Sequence, residues 1–143
     1  MLGGGAGLER ARAEVARRGL AQAITLAGHV PTIDPWLAKA RALLVTSRYE
    51  GGPAVAVEAL AHGVPVVSTD CSHFLRDVMT APEAGRIVAT RDPAALAEAL
   101  TAVLDAPAPD PARLAPLLAP VEPERCARAY ADFFAERIAA QSA

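Results

Sequence analysis

Aromatic side chains are scarce in this chain, 4% of its 143 residues, and no stretch approaches the ~18 to 20 apolar residues that a membrane-spanning helix needs. The N-terminus also lacks the charged region followed by an apolar one that marks a secretory leader. Hydrophobic residues still make up 52% of the sequence, so the core must be built from alanine, valine and leucine, and the length suits one domain with a buried interior. An excess of charge is missing too. The formal net charge is −2 and the pI about 5.9, with Arg interspersed among Asp and Glu, so there is no electrostatic footprint for nucleic acid and none is expected as a partner. Cys71 and Cys126 form no C-x-x-C pair, which reads as two free thiols in a reducing, cytoplasmic compartment. No His, Cys and Asp cluster has metal-ligand spacing, and no Ser-His-Asp order stands out.

Leu8, Ala11, Val15 and Leu20 recur at helical spacing and predict a helix over 8–18 that Gly19 ends. The opening Gly3-Gly4-Gly5-Ala6-Gly7 is not a dinucleotide fingerprint, because no strand precedes it in the chain. A short strand is expected at 24–27, then a helix opened by Asp34-Pro35 and carrying Trp36, Leu37 and Ala40. Apolar, β-branched runs at 42–46 and 64–69 suit buried parallel strands, with a helix at 54–62 between them. A helix at 74–79, a strand at 85–89 and a helix from Asp92-Pro93 through Leu104 follow. Prolines 107, 109, 111, 116, 120 and 123 predict a loop over 106–123, broken by a helical turn or two near 114–118. A final amphipathic helix at 123–140 is expected to turn Tyr130, Phe133, Phe134 and Ile138 toward a core. This alternation predicts an α/β fold with a Rossmann-like parallel sheet and flanking helices.

Glu50 and Glu58 stand eight positions apart across the turn from strand 42–46 into helix 54–62. That helix is apolar nearly all round, with Glu58 as its one certain charge, so it is expected to be buried. A buried carboxylate costs several kcal/mol unless it is hydrogen-bonded, and a polyol ligand could supply the donors. On the residues alone, Glu50 could equally be a solvated loop acid and Glu58 a satisfied core acid.

The run Ser47-Arg48-Tyr49-Glu50-Gly51-Gly52-Pro53, followed by Glu58-Ala59-Leu60-Ala61-His62-Gly63-Val64-Pro65-Val66-Val67-Ser68-Thr69, resembles the E-x7-E signature of retaining, GT-B-fold glycosyltransferases of family 4. The resemblance extends from about Gly3 to Leu104 and is closest over 42–70. It implies the nucleotide-sugar-binding C-terminal half of a GT-B fold, with an incomplete sheet and one partial domain over 1–143. The implied reaction moves a sugar from a nucleoside diphosphate sugar to an acceptor hydroxyl with retention, with no cofactor and no metal. By resemblance, Glu50 contacts donor-sugar hydroxyls and is the catalytic candidate, and Glu58 takes the ribose diol. His29 passes near the base. Gly51, Gly52, Pro53 and Ala54 open a helix whose free amides attract phosphate, or they form an ordinary tight turn. Arg48 could reach the diphosphate or simply face solvent, and His62 reads as a helix C-terminal cap. His73 stands where the family often has glycine beside the diphosphate, a departure that bears on phosphate geometry.

In the resembled family two further strands and a basic loop precede the point where this chain opens, as does an acceptor-binding N-terminal domain. The expectation is therefore a fragment or mis-started frame, or else a split enzyme completed by a partner chain. Unpaired strand edges then favour self-association. The alternative is a non-catalytic nucleotide-binding or partner-binding module, and a third reading is a GT-B-shaped epimerase. Donor base, donor sugar and acceptor are not encoded in these motifs.

Overall fold

The computed structural model describes residues 1–89 and 92–141. The chain divides into two compact units, Met1–Trp36 and Leu37–Ala143.

In the first unit α1 (Leu8–Arg17) ends as the sequence predicts. Gly19, at φ +69°, lets its amide bond the Ala16 carbonyl and the Leu20 amide bond that of Val15, each at 3.0 Å, a paired closure that satisfies two otherwise orphaned carbonyls. The strand expected at 24–27 does not form. Its place is taken by an isolated parallel bridge, Leu2 to Gly28, with Ala27 N–H donating to Met1 O at 3.0 Å and Gly3 N–H to Gly28 O at 2.7 Å. A strand exists only by pairing, and the extended neighbour within this unit is too short to make a ladder.

The turn α2 (Asp34–Leu37) leads from one unit to the other and stops short of Ala40. The second unit holds three parallel strands in the order β1 (Leu43–Val45), β2 (Val66–Thr69), β3 (Gly85–Val88). Parallel pairing needs crossovers, supplied by α3 (Ala54–Ala61) between β1 and β2, and by α4 (His73–Val78) with a 3-10 turn between β2 and β3. Every residue of the central β2 is buried, as its unbroken apolar and small-residue run predicts. The expected burial of 42–46 does not hold in full. β1 is an edge strand, and Leu44 on it is 45% exposed. An edge strand has a neighbour on one side only, so apolar residues there are not all covered.

Val67 packs with Leu96 and Ala99 of α5 (Pro93–Asp105), backed by Val88, Leu100 and Val103. The α5 N-terminus is capped as predicted, the Asp92 carboxylate accepting from Ala94 N–H at 3.0 Å. The stretch at 106–123 is more ordered than expected. α6 (Pro111–Leu118) repeats the same device, Asp110 accepting from Ala112 N–H at 2.9 Å with Pro111 in the first helical position. It packs against α3 and buries Leu114, worth about 1.5–3 kcal/mol of transfer free energy.

The core placement expected for the last helix is overturned. α7 (Pro123–Gln141) buries no residue, and Tyr130, Phe133, Phe134 and Ile138 are all exposed, Tyr130 at 66%. The helix is amphipathic, but it rests on little more than the short turn Ala119–Val121, so its apolar stripe meets no comparable surface. The rings satisfy one another instead: Tyr130 stacks on Phe134 at 6.4 Å between centroids, Phe133 meets Phe134 edge-on at 5.6 Å, and Arg137 lies 5.2 Å over Phe133.

Candidate functional site

Open parallel sheets bind ligands at the carboxyl ends of their strands, where β1 and β2 each feed a loop. The two loops are joined by hydrogen bonds. Thr69 Oγ1 donates to the Ser47 carbonyl at 2.6 Å, Glu50 N–H to Cys71 O at 2.8 Å, and Ser72 Oγ to Gly51 O at 3.0 Å. Behind them the Thr69 carbonyl accepts from both Ser68 Oγ at 2.7 Å and Cys71 N–H at 2.8 Å. Small hydroxyl residues at the end of β2 therefore fix the turn that carries Glu50.

Glu50 itself is half-buried, and its Oε1 accepts a hydrogen bond from Ser47 Oγ at 2.6 Å. It borders a cleft of about 250 Å³, with Arg48 and Gly51 on its own loop and Asp70, Ser72, His73 and Arg76 across from it. Gly52 follows, closely overlain by Phe74 of α4, whose ring would lie 3.4 Å from an added Cβ. Pro53 precedes α3 with no side-chain cap, and the helix begins at Ala54. The predicted residues Arg48, Glu50, Gly51, Gly52, Pro53 and Ala54 are thus contiguous around one loop.

Glu58 departs from expectation. It is exposed, on a stripe of α3 shared with Ala54 and Ala61, while Ala56, Ala59 and Leu60 face inward. An apolar composition does not bury a helix all round when its outer positions are alanines, which cost little in water. Glu58 therefore bears no desolvation penalty calling for a ligand, and it does not line the 250 Å³ cleft. His62 caps α3 as predicted, its Nδ1 2.9 Å from the Glu58 carbonyl. His29 belongs to the first unit, exposed next to the bridge residue Gly28.

Sequence reasoning missed Arg76 and Asp70. Arg76 Nε donates to Asp70 Oδ1 at 2.9 Å, and Nη2 bonds Oδ2. The signal was available: an acid at the carboxyl end of a strand, with an arginine one turn into the following helix. The Arg76 guanidinium holds the Asp70 carboxyl below its usual value of 3.8. A depressed folded pKa stabilises the fold above the unfolded value and loses that contribution as pH falls through the folded one. The melting-temperature difference between the native chain and Arg76→Met should therefore shrink as pH drops from about 5 toward 2. Glu14, held down to about 2 by Arg17 and Arg18, titrates alike in both proteins and cancels. A difference independent of pH in paired melts would refute the assignment.

A larger cavity of about 460 Å³ lies at the opposite ends of the strands, by Pro65, Gly85, Arg86 and Pro107, beside a 2.7 Å Arg113–Glu83 ion pair. Its position at the amino-terminal ends argues against the ligand site of a parallel sheet. Among the described residues no group of His, Cys, Asp or Glu is gathered as a metal site. No described helix is long and apolar enough to cross a membrane.

Residues 1–106 match the family described as glycosyl transferases group 1. The lipopolysaccharide core biosynthesis mannosyltransferase LpsB of Rhizobium meliloti is 36% identical over 92 residues, 64% of this chain and 26% of that protein. The D-inositol 3-phosphate glycosyltransferase 1 of Catenulispora acidiphila is 39% identical over 89 residues, 62% of this chain and 20% of its own length. The chain thus spans about a quarter of the length of these curated relatives. The solved structure of the lipopolysaccharide outer core galactosyltransferase WaaB in its apo form superposes with a TM-score of 0.60 at 27% identity, over 72% of this chain and 30% of that one. The three-stranded parallel sheet and its flanking helices are those of a Rossmann-like GT-B domain, and with the match covering residues 1–106 the chain belongs to the glycosyl transferases group 1 family.

Proposed function

We propose that this chain is the donor-binding part of a retaining glycosyltransferase that moves a sugar from a nucleoside diphosphate sugar to an acceptor hydroxyl. The observation that carries this reading is Glu50, a half-buried carboxylate at the carboxyl end of β1, facing a cleft that also holds Arg48 and Arg76. Its carboxylate accepts hydrogen bonds from sugar hydroxyls. The uncapped start of α3, through the amides of Gly51, Gly52 and Ala54 with Pro53 setting the turn, and the Arg48 side chain receive the diphosphate. Glu58, one turn further on, takes the ribose diol. Stabilising the charge that grows on the departing diphosphate is the main catalytic requirement, and helix-terminus amides and guanidinium groups meet it. The acceptor side comes from an N-terminal domain or partner chain.

Calorimetric titration of the chain with uridine, guanosine and adenosine diphosphates, free and carrying glucose or mannose, tests the reading. At least one sugar nucleotide should bind more tightly than its free diphosphate, and the chain alone should show no transfer. Absence of binding across the panel would defeat the proposal. The presence of His73 in the cleft favours a second reading, a non-catalytic nucleotide-binding module. Binding without transfer, even when the chain is supplied with its acceptor domain, would support it.

A further inference from the structure

We infer that Ser47 is a positioning residue for Glu50, fixing one carboxylate oxygen so that the other is presented to the donor sugar. The inference rests on the reading of Glu50 as the sugar contact.

The Ser47 hydroxyl donates to Glu50 Oε1 at 2.6 Å, and among the described residues the Glu50 side chain has no other hydrogen-bond partner. Oε2 is left with its lone pairs available. A carboxylate in that state accepts and cannot donate, so the ligand group it suits is a hydroxyl, not a phosphate oxygen, which brings no proton and the wrong charge.

Ser47 is itself anchored to the core. Its carbonyl accepts from Thr69 Oγ1 at 2.6 Å, and Thr69 is 2% exposed on the central strand. Glu50 N–H, held by Cys71 O at 2.8 Å, ties the backbone to the same strand end. Both ends of Glu50 are thereby referenced to β2. Without the Ser47 hydroxyl, a side chain with three rotatable χ angles would have to be ordered when the sugar binds, which weakens binding of the sugar and not of the nucleotide.

The test compares the native chain with Ser47→Ala, Ser47→Thr and Glu50→Gln, each titrated with the same sugar nucleotides and free diphosphates. The readout is the ratio of sugar-nucleotide affinity to free-diphosphate affinity. Ser47→Ala should lower that ratio about 5- to 10-fold while leaving diphosphate affinity and melting temperature unchanged. Ser47→Thr, which keeps the hydroxyl, should restore it to within about twofold. An unchanged ratio in Ser47→Ala, with a collapsed one in Glu50→Gln, would overturn the inference and leave the Glu50 reading intact. Parallel losses of diphosphate affinity and melting temperature, or no rescue by threonine, would make Ser47 merely structural and also overturn it. An unchanged ratio in Glu50→Gln, or no binding at all, would remove the Glu50 reading and Ser47 with it.

Discussion

Gly85→Ala should cost the second unit about 3–5 kcal/mol, a large share of a small domain's stability. Gly85 opens β3 at φ +116° and ψ −144°, a conformation that side-chain-bearing residues avoid at about 1–3 kcal/mol. Conformation is the smaller part. A Cβ there would fall 1.9 Å from the Val66 carbonyl oxygen and 2.7 Å from Val66 N. Val66 is the register partner of Gly85 and is 0% exposed on the central strand, so relief requires moving backbone and breaking the β2–β3 ladder. Gly51, with open space around it and no positive φ, is the control, and Gly51→Ala should be near neutral. Urea unfolding of the two variants measures the contrast, and a loss at Gly85→Ala below about 1 kcal/mol would contradict it.

Glu58→Gln should weaken nucleotide binding about 10- to 150-fold, the equivalent of losing about 1.5–3 kcal/mol of charge-assisted hydrogen bonding to a ribose diol. A 2′-deoxyribose donor should bind the native protein less well but lose little more with the variant, because the shared contact is already weakened. Burial of Glu58 would make the glutamine variant more stable. The exposure of Glu58 on α3 removes that gain, so its melting temperature should match the native one. Among the described residues its carboxylate makes no hydrogen bond, so no structural duty competes with the binding role. Unchanged affinity in calorimetry would end the ribose assignment.

What could be read in advance depended on how local its cause was. The Asp92-Pro93 cap, the Gly19 closure and the His62 cap each depend on a few consecutive residues, and each is found as expected. The order of strand, turn, small-residue helix and strand over 42–69 was legible for the same reason. The cap at Asp110-Pro111 was equally local, but the surrounding prolines masked it, and Pro116 is accommodated inside α6. Exposure was harder to foresee because it depends on distant partners. Apolar composition could not say which stripe of α3 faces outward, whether 24–27 had a strand to pair with, or whether α7 had a surface to cover. The loop around Glu50 was identified from its motif. The hydroxyls that hold it in place across the fold, Thr69 at the end of β2 and Ser72 just before α4, are 22 and 21 residues from their partners in sequence, and only the fold brings them near.

The core of alanine, valine and leucine has an optical consequence. The one tryptophan, Trp36, is 42% exposed and closes the first unit, and Tyr49, Tyr130, Phe133 and Phe134 are exposed too. Of the aromatic residues Phe74 alone is not exposed. Intrinsic fluorescence and near-ultraviolet dichroism will therefore report on the surroundings of Trp36, on the loop of Tyr49 and on α7, while the sheet can melt almost unseen. Far-ultraviolet dichroism or amide hydrogen exchange is what registers the loss of β2.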